Sequence, residues 1–253
     1  MLQKPSQESV ARLEKAVLRS KRRSSVRLPQ EFARDRIGSP AAPPLARMLQ
    51  GGGEVRIKAF LIVRMQATAH PYAITQASKD LAEMLGLPKP ETAGTRRVNK
   101  AFSDLVGLQL VSREMVPGRV PITTVLDPRG SGDSWSDKNL REGFITLPID
   151  LWRRGWLIAL SGRALALLII LRELTHGRKV SSGTWVDGIR KREYGLSDDT
   201  WTKATQELCE AGLLEVKVEV HSSRGEPRRR NLYRLHLERL GAFAPGEMIL
   251  ENN

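Results

Sequence analysis

Apolar residues fall at helical spacing twice within Ile74–Asp127 and alternate with polar ones twice more. Leu81, Met84 and Leu85 mark one helix, with Thr75 as a candidate N-cap and Gly86 where a left-handed C-cap is wanted. Pro88 and Pro90 then keep the chain non-helical for several residues. A second helix is predicted from near Thr92 or Thr95, with a core stripe of Val98, Phe102, Leu105 and Val106 and an end at Gly107. Leu108–Val116 and Val120–Leu126 read as strands joined by the tight turn Pro117-Gly118-Arg119. Ahead of this block, Glu54–Ala69 is an apolar helix, and Tyr72–Ile74 reads as a short strand.

The same plan recurs downstream. Ser161 caps an apolar helix over Gly162–Leu174, and Lys179–Val186 contains a short strand. Asp187–Tyr194 is a basic helix closed by Gly195-Leu196. Ser197 caps Asp198–Ala211, whose core face is Trp201, Ala204, Thr205 and Leu208, with Cys209 on that face as a small hydrophobe. Leu213–Val220 alternates like a half-buried strand, His221–Arg230 is a polar turn, and Asn231–Leu237 returns. Gly86-Leu87 answers to Gly195-Leu196 at an offset of 109, and Gly107-Leu108 to Gly212-Leu213 at 105. The repeat is one of pattern, with little residue identity. The Gly-, Ser- and Asp-rich stretch Asp127–Gly143 divides the copies. The expected organisation is an N-terminal arm and linker (1–44), a first unit (45–127), a linker (128–143), a second unit (144–240) and a tail (241–253).

The order helix, strand, helix, helix, strand, turn, strand is that of a winged helix-turn-helix. The expected fold class is therefore mainly α with small β wings (α+β), as two winged helix-turn-helix domains in tandem plus a basic N-terminal arm.

Charge sharpens this. Lys and Arg exceed Asp and Glu by 13 across 253 residues, and the pI is near 10.4. Such a balance favours a polyanion, either nucleic acid or an anionic membrane surface. Residues 1–36 alone carry +6, and Lys21, Arg22 and Arg23 before Ser24-Ser25 read as a flexible arm lying along phosphates, or as a solvated tail. In the helix before the first wing, Arg96, Lys100 and Ser103 point away from the core stripe, flanked by Arg97 and Asn99. Such side chains pair with base edges and phosphates. Arg119 is an exposed cation in the first wing. The equivalent helix of the second unit, Asp198–Ala211, is net −3, with Lys203 among Asp198, Asp199, Glu207 and Glu210. Positive charge there moves to Arg190, Lys191 and Arg192 and to the second wing, Arg224, Arg228, Arg229 and Arg230. The first helix is expected to read bases, and the second unit to grip backbone or serve in dimerisation. An ordinary solvated helix face on a small α/β unit is the plainer reading of the same charges.

Enzymatic chemistry is not signalled. There is no GxxxxGK[ST] phosphate loop, CxxC, HExxH or GxSxG, and His70, His176, His221 and His236 are scattered without metal-ligand spacing. No His-x-His cluster lies near Tyr72, Tyr194 or Tyr233, as a rolling-circle nicking enzyme would want. No cofactor or metal is expected. Cys209 is the sole cysteine, and the longest apolar run, Ala164–Leu171, is far short of the roughly 20 residues that span a bilayer. The N-terminus lacks the apolar core of a secretion signal. The expectation is a cytoplasmic, nucleoid-associated protein with no membrane partner.

Two such units in a basic chain resemble the two-domain plasmid replication initiators that bind origin repeats. The resemblance covers Glu54–Leu240 in element order. It implies repeated double-stranded DNA sites as ligand, no cofactor, a homodimer in balance with monomer, and replication or partition proteins as further partners. A transcriptional regulator at operator sites uses the same fold, as do a DNA segregation adaptor and a protein–protein interaction scaffold.

Overall fold

In the computed structural model the described residues are 2–34, 42–136, 140, 143–175, 183–223 and 226–245, without the side chains of 189, 221–223 and 226–228. The fold is mixed α+β, about 49% helical and 18% strand, with small antiparallel sheets.

The N-terminal half runs α1 (Gln7–Ser20), β1 (Ser25–Pro29), α2 (Pro44–Leu49), α3 (Glu54–Gln66), β2 (Ala73–Thr75), α4 (Ser78–Met84), a π-helical turn (Pro90–Gly94), α5 (Thr95–Gly107), β3 (Val111–Glu114) and β4 (Ile122–Val125). The C-terminal half runs β5 (Phe144–Pro148), the single turns α6 (Asp150–Arg153) and α7 (Trp156–Ala159), α8 (Gly162–Leu174), β6 (Thr184–Trp185), α9 (Gly188–Glu193), α10 (Asp198–Glu210), β7 (Leu214–Ser223) and β8 (Glu226–Leu235). The two halves build antiparallel sheets in matching orders, β2-β4-β3 and β6-β8-β7.

The most apolar helix of each half sits at its centre. α8 has no polar face, and α3 is buried from Ile57 to Met65, so each is enclosed on all sides. Ser161 and Ser197 cap α8 and α10 as their sequences predict, accepting from the N–H groups of Ala164 and Thr200. Thr75, by contrast, belongs to β2; α4 starts after Ala77 without a side-chain cap.

The repeat is closer in structure than in sequence, and its register differs from the expected one. α5 and α10 are each 13 residues long and start 103 residues apart. Leu110 N–H donates to Leu105 O at 3.1 Å, and Leu213 N–H to Leu208 O at 2.9 Å. Gln109 (φ 59) takes the left-handed position that Gly212 (φ 68) holds in the second unit. Gly107 is still helical, so aligning the two Gly-Leu pairs misplaces this end by two residues. Two burial expectations also change: Val106 is 42% exposed while Ala101 joins the core, and Cys209 faces outward.

The N-terminal segment is a packed layer, which corrects the expectation of a free arm. Ser6 caps α1 by accepting from Ser9 N–H, and the helix buries Leu13, Ala16 and Val17. Lys21 (φ 57) turns the chain into β1, which pairs antiparallel with β5 from Ser25↔Pro148 to Pro29↔Phe144. Leu13, Val17, Val26, Leu28 and Phe32 are wholly buried. At about 1.5–3 kcal/mol for each such side chain, this outweighs the mutual repulsion of solvated surface cations. The expected linker 128–143 is also anchored where it is described. Trp135 is buried, with the Arg64 guanidinium 4.5 Å over its ring and Tyr72 edge-on at 6.3 Å. One hydrophobic cluster runs from Leu13 through both halves to Ala244.

Candidate nucleic-acid interface

The rotation of α5 about its own axis is set by Val98, Ala101, Phe102 and Leu105, all buried. That leaves Arg96, Arg97, Asn99, Lys100 and Ser103 exposed along the opposite side, as expected from their spacing. The entry to α5 is tightly built. Thr95 Oγ1 donates to Pro90 O at 2.6 Å. A Cβ added at Gly94 would lie 3.1 Å from the Ala82 Cβ, and 3.3 Å from the Lys89 and Pro88 carbonyl oxygens. Glycine therefore lets α4 and α5 approach closely.

Asn99 is held by a network that crosses three elements. Ser78 of α4 donates to its Oδ1 at 2.6 Å, and Arg113 of β3 donates to the same oxygen at 3.1 Å. Arg113 also reaches Ser78 Oγ at 2.6 Å and lies 4.5 Å over the Phe102 ring. With the oxygen end occupied, the Asn99 amide offers its two N–H donors outward, suited to phosphate oxygens or to the acceptors of a guanine or adenine edge. Asp104, the one acid of this helix, is turned aside. Its carboxylate is forked by Arg56 of α3 at 3.2 and 2.5 Å, with Lys100 at 3.6 Å. The α5 face is thus cationic and donor-rich. Arg119 is exposed between β3 and β4, in a turn closed by its own N–H on Val116 O.

α10 presents a different face. Glu207, at the position equivalent to Asp104, is buried and accepts from the N–H and Oγ of Ser161 at 2.7 and 2.6 Å. Lys203 is paired with Asp199 at 2.8 Å, and Gln206 donates to Glu210 at 3.0 Å. Arg97 of α5 and Lys203 of α10 line one open cleft of about 630 Å³, together with Arg163 and Gly53.

The remaining expected contacts are dispersed. Lys21 and Arg23 are exposed, but Arg22 is bound to the carbonyls of Met65 (2.7 Å), Ala67 (3.1 Å) and Arg64 (3.4 Å), where it caps the C-terminus of α3. Lys191 folds over the Trp201 ring at 5.0 Å and Arg230 over Trp185 at 4.1 Å, while Arg190 is half-buried and Arg192 and Arg229 are exposed. Arg224 and the Arg228 side chain lie outside the described residues. A second basic surface lies on α1, apart from the residues whose spacing marks the α5 face. Arg12, Lys15 and Arg19 of α1 line a groove of about 540 Å³ against Thr75, Gln76 and Asp80. Their i, i+3, i+7 spacing is the signal that carries it.

Among the described residues, no helix is long and apolar enough to cross a membrane. No protein-family model matches this chain, and no curated protein does.

Proposed function

We propose that the chain is a double-stranded DNA-binding protein, not an enzyme. In this reading each half is a winged helix-turn-helix, with α5 as the helix that enters the major groove. The observation that carries it is the outward face of α5: Arg96, Arg97, Asn99, Lys100 and Ser103 all exposed, on a helix directly before an antiparallel hairpin. The matching sheet orders of the two halves and the excess of 13 basic residues support it. The first unit then reads base edges, and the second grips the sugar-phosphate backbone through Arg192 and Arg229. Acting at repeated origin or operator sites, as a plasmid- or phage-type replication initiator or a transcriptional regulator, is the role this reading favours.

Titration with duplex DNA at a series of salt concentrations tests it. At roughly 0.9 per phosphate neutralised, the log–log slope is expected to be about −5 or steeper. A nearly flat dependence overturns DNA binding. The self-paired, acidic face of α10 favours a second reading, in which the second unit docks protein, as in a scaffold or segregation adaptor. Absence of any mobility shift with both random DNA and the DNA flanking its own gene would favour that alternative.

A further inference from the structure

The second hairpin is much longer than the first. β7 and β8 are ten residues each, against four for β3 and β4. β7 is an edge strand, since the sheet order is β6-β8-β7. Residues Lys217 to Val220 are all exposed, with Val218 at 61% and Val220 at 64%. A long edge with two bare valines is a template for another strand.

The phase of the ladder shows what this edge offers. His236 N–H donates to Leu213 O at 2.9 Å, in register with Leu214↔Leu235. In an antiparallel ladder, alternate residues bond to the same neighbour. Leu213, Glu215, Lys217 and Glu219 therefore turn their backbone groups toward β8, and Val216, Val218 and Val220 turn theirs outward.

We propose that β7 pairs antiparallel with β7 of a second copy, about a two-fold axis at Val218. In this register Val218 faces Val218 of the partner subunit, and Val216 faces Val220 of the partner subunit. Every outward N–H and C=O of these valines then finds its counterpart. All six valine side chains fall on one face of a continuous six-stranded sheet. On the other face Lys217 lies opposite Glu219 of the partner subunit, and Glu219 opposite the partner's Lys217. The strand is self-complementary in backbone, apolar surface and charge, which is what an isologous interface requires. β8, which carries Arg229, stays clear of the new contact.

The test needs no DNA, so it succeeds or fails independently of the DNA-binding reading. Sedimentation of the full chain is expected to show a concentration-dependent dimer. Lys217→Glu sets like charges opposite each other twice and weakens that dimer roughly tenfold. K217E/E219K restores the pairing and the dimer. In a Cys209→Ser background, Val218→Cys is expected to give a disulfide-linked dimer when diamide is added, the two thiols losing two protons and two electrons to the diazene. Facing residues of this kind lie about 5.5 Å apart, within disulfide reach. Val220→Cys does not cross-link, because the two copies of that position are about 13 Å apart along the strand. A monomer at the highest soluble concentration, or equal cross-linking at 218 and 220, overturns the proposal. So does a dimer insensitive to both charge variants.

Discussion

Arg113 of β3 donates to Asn99 Oδ1 of α5 at 3.1 Å, so the first strand of the first hairpin sets the orientation of an amide on the candidate reading helix. Arg113 itself is fixed by Ser78 and by the Phe102 ring. Arg113→Ala is expected to lower affinity for a cognate site about as much as Asn99→Ala, on the order of 1–3 kcal/mol, although Arg113 need not touch DNA. Arg113→Lys does not rescue, because one ammonium cannot reproduce the two-pronged contact. Parallel titrations of the three variants on the same duplex check this; full affinity in Arg113→Ala would show that Asn99 needs no positioning.

The N-terminal layer yields a stability prediction. Leu13→Ala empties a wholly buried site between α1 and the rest of the core, and is expected to cost about 2–5 kcal/mol. Deleting residues 1–34 exposes β5 and the α3–α4 surface, and should lower the melting temperature sharply or prevent folding. Thermal unfolding by circular dichroism decides: a truncated chain that melts like the full one would return this segment to the role of a free arm.

Arg22 separates structure from binding. Arg22→Ala takes the guanidinium donor from the Met65 carbonyl and leaves Ala67 O with Arg64 Nη1 at 3.2 Å, with an expected loss of about 1–3 kcal/mol of stability. The salt slope of DNA binding should be unchanged, whereas Arg229→Ala, on an exposed strand residue, should reduce it by about 1. Denaturant unfolding and salt titrations on the same samples check both.

These cases mark what the chain discloses locally. The caps at Ser161 and Ser197, the stripe residues Val98, Phe102 and Leu105 of α5 and its outward cations follow from spacing within one helix, and the structure places them so, Val106 excepted. The pairing of β1 with β5 joins segments more than a hundred residues apart, and no local pattern signals it. Arg22 reads as one of three equivalent cations until the end of α3 is beside it. Gln109 adopts a left-handed conformation favoured by glycine, because Leu110 must turn inward there. The Arg113–Asn99 contact depends on how the hairpin folds back over α5, which periodicity does not describe.

Lys58 supplies a pH dependence. Burial, opposed by Glu54, lowers its ammonium pKa below the usual lysine value. It contacts Glu54 at 2.6 Å and the Ile158 carbonyl at 2.9 Å. Between the lowered folded pKa and the unfolded value of 10.5, the unfolded chain binds more protons, so the contribution of this group to stability rises with pH through that alkaline window. Lys58→Met is expected to remove that rise. Chemical denaturation at several alkaline pH values measures it; an unchanged difference between variant and parent across the window would contradict the assignment.

The central claim is that the outward face of α5 reads base pairs. Its most direct test is a pair of binding titrations with Arg96→Ala, one on DNA from beside the protein's own gene and one on random duplex, each at two salt concentrations. A loss on the order of 1–3 kcal/mol is expected on the first and much less on the second, so that discrimination between them collapses. Equal losses on both DNAs, or none on either, would contradict it.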